Sequence, residues 1–125
     1  MNELCPYCGA ATRLADSAII YNGTSYGLVW ICERYPACDA FVGCHKGTET
    51  PMGRLANREL RYWKKRAHAE FDPLWKKGPM RRGDAYYWLS QKLDIPVDKT
   101  HIGMFDIDQC KETVRVCREK REAAA

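Results

Sequence analysis

The stretch that decides the fold is Cys5-Pro-Tyr-Cys8-Gly9, which is matched further along the chain by Cys32-Glu-Arg-Tyr-Pro-Ala-Cys38. The two-residue spacer of the first pair lets both thiolates point into one tetrahedron, and Gly9 permits the positive φ that turns backbone amides toward sulfur. Four cysteines in two pairs are typical of a closed, structural metal site. We therefore predict one structural Zn²⁺, and its ligands are Cys5, Cys8, Cys32 and Cys38.

The fourth ligand has an alternative. Cys44 and His45 both lie near enough in the chain to replace Cys38, and the spacing does not decide among the three. Another interpretation is that these cysteines are buried or free thiols, although two pairs on either side of a hairpin seldom arise from packing alone.

The residues between the two cysteine pairs predict a β-hairpin. Residues 17–22 and 26–31 are rich in β-branched and aromatic side chains, and they flank Asn22-Gly23, which tolerates positive φ. A third short strand is expected at residues 40–42, followed by a connector rich in glycine, threonine and proline. These elements together predict a three-stranded zinc ribbon over residues 1–50.

The rest of the chain has the apolar spacing of helices. We predict an amphipathic helix over residues 57–70, a short helical turn at 74–77 capped by Asp72, a helix over 82–93, and a helix over 107–122 capped by Asp106. Cys110 and Cys117 fall on the apolar stripe of the last helix and are expected to be buried. The predicted fold is a small α+β protein, with three to four helices over residues 51–125.

Positive charge is concentrated in one segment of the 125-residue chain. Residues 54–82 contain ten basic and three acidic residues, a net charge of +7, whereas the whole chain carries only +4. A concentrated basic segment favours an anionic partner, and nucleic acid is our first choice. The predicted contacts are Arg58, Arg61, Lys64, Lys65, Lys76, Lys77, Arg81 and Arg82, with Tyr35 as a stacking residue.

The alternative for this basic segment is a solvated helical face joined by ion pairs. Arg66 precedes Glu70 in the less favourable order for a pair four residues apart, and Glu59 has no cation three or four residues after it. We therefore expect most of the positive charge to remain unpaired.

Composition and motifs argue against other functions. His68 with Asp72 and Cys44 with His45 are the pairs that invite a catalytic interpretation, but neither has a second carboxylate or a nucleophile arranged beside it. We expect no enzymatic activity and no small-molecule substrate. The longest uncharged stretch, residues 17–32, contains a polar turn, so a soluble protein without membrane contact is expected.

The cellular compartment is predicted from the cysteines. Seven is an odd number, and no basic and apolar leader precedes Cys5, so metal binding in a reducing cytoplasm is preferred to disulfide bonding.

The two cysteine motifs resemble the C-terminal zinc ribbons of bacterial type I DNA topoisomerases, which have a similar Cys-Pro-x-Cys-Gly entry and Tyr-Pro-x-Cys exit. This resemblance covers the ribbon alone, and it implies binding of single-stranded DNA with aromatic side chains as stacking candidates. By position, the counterparts of those aromatic residues are Tyr7, Tyr26, Trp30, Tyr35 and Phe41.

The whole chain is similar to small zinc-finger-containing proteins of phages and prophages. The similarity is carried by the ribbon and by residues 51–56, 61–68, 71–75, 87–89 and 101–105. It implies a phage or prophage origin and a place in the cytoplasm of a bacterial host, but no particular activity. We predict non-enzymatic binding of single-stranded or non-sequence-specific DNA; the alternative is a protein-interaction module that binds and diverts a host protein.

Overall fold

A three-stranded antiparallel sheet is followed by helices in the computed structural model, which describes residues 3–124. The strands are β1 (Thr12–Asp16), β2 (Leu28–Cys32) and β3 (Phe41–Gly43), with β2 in the centre. Thr12 pairs with Cys32 at one end of the β1–β2 ladder, and Asp16 pairs with Leu28 at the other. The predicted small α+β fold with a three-stranded sheet is confirmed.

The prediction of a strand over residues 17–22 is wrong, because β1 ends at Asp16. The Asp16 carboxylate accepts a hydrogen bond from the Ala18 N–H at 2.8 Å and begins a 3₁₀ turn at Ser17–Ile19. The Ser17 hydroxyl accepts a second bond from the Tyr26 N–H at 2.6 Å. These side chains compete with the ladder for backbone groups, so an apolar run that has strand-forming residues becomes a loop.

The segment after β3 returns along the sheet. Cys44 bridges to Pro51, and Phe41 bridges to Ala56 through two backbone hydrogen bonds of 3.0 and 3.1 Å. The chain divides into two compact units between Arg58 and Glu59. Residues 51–58, which were predicted to belong to the helical region, therefore lie in the first unit.

Within residues 3–124, four helices follow the sheet, as the spacing of apolar residues predicts. They are α1 (Arg58–Phe71), α2 (Pro73–Lys76), α3 (Arg82–Leu93) and α4 (Ile107–Ala124). Two 3₁₀ turns, Val97–Lys99 and Ile102–Met104, connect α3 to α4. No helix in the described part of the chain is both long and apolar enough to cross a membrane.

The core of the second unit contains side chains from α1, α3 and α4. Phe71 of α1 and Tyr86 of α3 have ring centroids 4.6 Å apart, and Leu89 is fully buried. Cys110 and Cys117 of α4 are also fully buried, as predicted from the apolar stripe. Burial raises the pKa of the Cys117 thiol to about 12, so this side chain is a neutral core residue.

An ionic contact joins α1 to α4. The Glu70 carboxylate, whose side chain is 13% exposed, pairs with Arg121 and lies 3.5 Å from the guanidinium of Arg118. Glu70 is one of three acidic residues in the basic segment. Glu70 therefore pairs with arginines of α4 within the helical unit, and it does not neutralise Arg66 four residues earlier.

The two predicted aspartate caps have different outcomes. Asp72 is itself in an α-helical conformation and makes no cap hydrogen bond, so the prediction that it caps the turn after it is wrong. Asp106 does cap α4, because its carboxylate accepts from the Gln109 N–H at 2.8 Å. The Gln109 side chain accepts in return from the Asp106 N–H at 3.0 Å, which completes a capping box.

Replacement of Asp106 by alanine should lower the free energy of unfolding by about 1 kcal/mol, since an N-terminal donor of α4 loses its acceptor. Urea unfolding followed by far-UV circular dichroism measures this change. Asp108→Ala is the control, because Asp108 lies in the first turn of the same helix and does not cap it. Equal destabilisation by the two variants would contradict the assigned capping box.

Candidate metal centre and nucleic-acid interface

Four cysteine sulfurs converge at one end of the sheet. They belong to Cys5, Cys8, Cys32 and Cys38, and their Sγ atoms all lie within 4.8 Å of one another. The Cys5–Cys38 separation is 3.6 Å and the Cys8–Cys32 separation is 3.4 Å. A zinc tetrahedron with bonds of about 2.3 Å has sulfur–sulfur edges of about 3.8 Å. The four sulfurs therefore fit one zinc ion closely.

The turn that carries the first pair has the backbone of a zinc knuckle. Gly9 adopts a φ of +78°, and its N–H donates to the Cys5 carbonyl at 2.8 Å. The Ala10 N–H then points at the Cys8 sulfur, and this hydrogen bond is the main reason that the pKa of Cys8 is lowered to about 7. The positive φ predicted for Gly9 is confirmed, and it orients a donor toward a ligand sulfur.

The second pair has similar backbone donors. The N–H groups of Arg34 and Ala40 bond the sulfurs of Cys32 and Cys38, respectively. Burial nevertheless dominates, and it raises the pKa of Cys32 to about 12 and the pKa of Cys38 as well. A buried thiolate needs a cation beside it, so these backbone donors and the burial together fit metal-bound sulfur.

The structure distinguishes Cys38 from Cys44 and His45, the alternatives for the fourth ligand. Cys38 lies beside the other three cysteines, whereas neither Cys44 nor His45 belongs to the group of metal-capable side chains found among the described residues. Cys44 instead follows β3, where burial raises the pKa of its thiol. The His45 backbone N–H bonds the Thr50 carbonyl at 2.9 Å. The geometry supports Cys38 as the fourth ligand.

Aromatic residues of the first unit differ in exposure. Tyr35, the predicted stacking residue, is half-buried. Tyr26 is 76% exposed, and its ring meets Tyr21 edge-on with centroids 5.2 Å apart. Trp30 and Tyr7 use their polar atoms internally, bonding the carbonyls of residues 49 and 55. Tyr26 therefore offers more ring surface than Tyr35.

Four of the predicted basic contacts line one open cleft of about 510 Å³ in the helical unit. The cleft lies where α1 ends and Pro73, which has no backbone N–H, begins α2. We call it the lysine cleft, and its lining residues are Lys64, Lys65, His68, Ala69, Asp72, Pro73, Lys76 and Lys77.

Asp72 is the one carboxylate among the described residues that line the lysine cleft. Its Oδ1 atom lies 3.2 Å from His68 Nδ1, and its Oδ2 atom lies 3.9 Å from Lys76 Nζ. Lys65 and Lys77 are exposed. Since one carboxylate faces four lysines, the cleft keeps a positive charge.

The other predicted cations do not line this cleft. Arg58 and Arg61 are on α1, and Arg81 precedes α3 as an exposed residue. The guanidinium of Arg82 lies 5.7 Å from the Trp75 ring centroid and 4.9 Å from that of Tyr86. Arg82 therefore stacks on aromatic rings of its own unit.

His68 also lines the cleft, although it is not among the predicted nucleic-acid contacts. A signal was present, because Lys64, His68 and Asp72 are spaced four residues apart and so share one side of the helical path. The sequence does not show how the chain bends at Pro73, and this bend determines which side chains of α1 and α2 face each other.

A family model described as a zinc-finger-containing domain matches residues 1–120. The chain belongs to this family. No curated protein and no solved structure matches it.

Membership in a zinc-finger-containing family agrees with the four-cysteine cluster, and together they indicate a zinc-binding module with one site. The matched residues include the helices as well as the ribbon. The resemblance to topoisomerase ribbons and the phage origin stay predictions.

The purified protein should hold one zinc ion per chain, and Cys5→Ser or Cys32→Ser should lose the ion together with the fold of the first unit, because structural zinc binding is coupled to folding. Elemental analysis and circular dichroism measure the two effects. Cys44→Ser is the matched control and should keep its zinc. Loss of zinc from Cys44→Ser but not from Cys38→Ser would contradict the assigned fourth ligand.

Proposed function

We propose that this protein binds nucleic acid without catalysing a reaction, and that one zinc ion shapes its first unit. The observation that carries the proposal is the lysine cleft, in which four lysines and His68 surround a single carboxylate. The proposed nucleic acid is DNA, either single-stranded or bound without regard to sequence.

The distribution of charge supports this proposal. Residues 54–82, with a net charge of +7, contain three acidic residues. Glu70 pairs with arginines of α4, outside this segment, and Asp72 pairs with Lys76 in the cleft. Lysine ammonium groups bind phosphate as point charges and do not read bases. A cleft lined by lysines therefore suits the sugar–phosphate backbone of many sequences.

The proposed role of the zinc is structural. Four cysteine ligands close the coordination shell, so no position remains for water or substrate. The residues that would hold the ion are Cys5, Cys8, Cys32 and Cys38. The aromatic side chains of the ribbon would then be its contact with nucleic acid, since bases of any sequence stack on aromatic rings.

The resemblance to phage and prophage proteins supports a place for this activity in the cytoplasm of a bacterial host. The rival proposal is a surface that docks on a host protein, because a basic face also fits an acidic protein. Zinc ribbons occur in both kinds of module, so the fold does not choose between them.

The charge contribution can be tested by reversing Arg61, Lys64 and Lys65 to glutamate. Binding to all oligonucleotide sequences should weaken alike, and the salt dependence should flatten, because each phosphate that the variant no longer neutralises makes the slope of log K against log salt less negative by about 0.7 to 0.9. Fluorescence anisotropy with single-stranded and duplex oligonucleotides at several salt concentrations measures both quantities.

The matched control reverses Lys46, Lys92 and Lys99, three exposed lysines outside the cleft. The salt slope of this control should change less than the salt slope of the variant in which Arg61, Lys64 and Lys65 are reversed. The nucleic-acid proposal fails if wild-type protein shows no oligonucleotide affinity at low salt. Suppose that the wild type binds no oligonucleotide but captures a host protein from a bacterial lysate. If reversal of Arg61, Lys64 and Lys65 abolishes that capture, the basic face is a protein-docking surface.

The stacking contribution should respond to substitution in the ribbon. Tyr35→Ala and Tyr26→Ala should each weaken single-strand binding by about 1 to 3 kcal/mol and preserve the salt slope, because stacking releases no counterions. Tyr26→Ala is the cleaner variant, since its ring is 76% exposed and contributes less to the fold. Unchanged affinity in both variants would show that these rings do not touch the nucleic acid.

A further inference from the structure

A second basic groove lies between α1 and α4. Its volume is about 550 Å³, and Trp63 provides its aromatic surface. We call it the Trp63 groove, and its lining residues are Trp63, Arg66, Lys111, Val114, Arg115, Arg118, Glu119 and Glu122. The lysine cleft is on another side of α1, because Lys64 and Arg66 are two residues apart and so about 200° apart around the helix.

Two cations converge on the indole of this groove. The Arg66 guanidinium lies 5.7 Å from the Trp63 ring centroid, and Lys111 Nζ lies 5.2 Å from it. Arg66 also donates to the Tyr62 hydroxyl at 3.1 Å, and Tyr62 meets Trp63 edge-on at 5.4 Å. The groove thus combines two positive groups with the Trp63 ring, and Tyr62 supports Arg66 and Trp63 from beside it.

Neither cation has an ion-pair partner in the part of the chain that the structure describes. Among residues 3–124, the ion pairs of the groove involve Arg115 with Glu112 and Glu119, and Arg118 with Glu70, but not Arg66 or Lys111. Glu122, which is exposed near the end of α4, is the remaining carboxylate of the lining. Two like charges held against one ring repel each other, and an anion beside them would relieve that repulsion.

We propose that the Trp63 groove binds a nucleotide, with Arg66 and Lys111 meeting the phosphate and the Trp63 ring meeting the base. The ligand needs both a ring and an anionic group, because the groove contains both an aromatic ring and two cations. A guanidinium bonds phosphate through paired donors, and an aromatic ring stacks on any base. The same chemistry is offered by a free nucleotide and by a nucleotide within a strand, and only the strand-borne form depends on the function proposed above.

The test follows the indole N–H signals of the ¹⁵N-labelled full-length protein by NMR, with Trp63→Phe used to identify the Trp63 signal. The probes are 5′-AMP, adenosine, inorganic phosphate and a short oligodeoxythymidylate. We expect 5′-AMP or the oligonucleotide to shift the Trp63 signal. Adenosine lacks the phosphate and inorganic phosphate lacks the ring, so each should need about tenfold higher concentration for the same shift.

The variants are Arg66→Gln and Lys111→Gln, each of which should weaken the response of the Trp63 signal about tenfold. Lys120→Gln is the matched control, because Lys120 Nζ lies 5.2 Å from the Trp88 ring, the same distance that separates Lys111 from Trp63. Lys111 is exposed, so its replacement should leave the fold and the other indole signals unchanged.

The outcomes separate this inference from the proposed function. A Trp63 response to 5′-AMP supports a free nucleotide, and a response to the oligonucleotide alone supports a strand-borne one. The inference is overturned if neither probe shifts Trp63, if phosphate acts as strongly as 5′-AMP, or if Lys120→Gln weakens the response as much as Lys111→Gln. Oligonucleotide binding that depends on Lys64 and Lys65 but not on Arg66 or Lys111 would retain the proposed function and reject the groove.

Discussion

The convergence of four cysteine sulfurs is the constraint on which the first unit depends. The buried residues around them are few and mostly small, among them Ala10, Ala40, Val42 and Leu55. Such a core buries too little apolar surface to hold a sheet of short strands, so a metal is needed as a crosslink. The position of β1 follows from the same constraint. Thr12 lies four residues after Cys8 and pairs with Cys32, so the ladder begins directly beside the sulfurs.

Metal binding also decides how this unit can meet an anion. Four thiolates and one Zn²⁺ carry a net charge of −2, whereas four neutral thiols carry none. The zinc-loaded ribbon is therefore more negative than the metal-free ribbon, and in the proposed function the attraction for phosphate would come from the helical unit. A ribbon contact with nucleic acid would depend on rings such as that of Tyr26, which attract bases without a net charge.

In the helical unit, different sides of α1 make different kinds of contact. Leu60, Ala67 and Phe71 are buried, Glu70 is held by two arginines of α4, and Lys64 and Lys65 line an open cleft. Because this largely buried carboxylate takes its partners from another helix, it does not cancel the charge of the basic residues on α1. The same arrangement places Arg66 and Lys111 against one indole, and neither has a carboxylate partner among the ion pairs of the described residues.

The sequence by itself determined the two cysteine pairs, the positive φ at Gly9, the bounds of α3 and the cap of α4, because each depends on residues only a few positions apart. Only the tertiary structure decided where β1 lies, since polar side chains at Asp16 and Ser17 outweighed a strand-forming run. It also decided that Cys38, rather than Cys44, joins the cluster, and that Lys111 meets Trp63. The last two features join residues far apart in the chain, and local spacing does not encode how helices and loops bring such residues together.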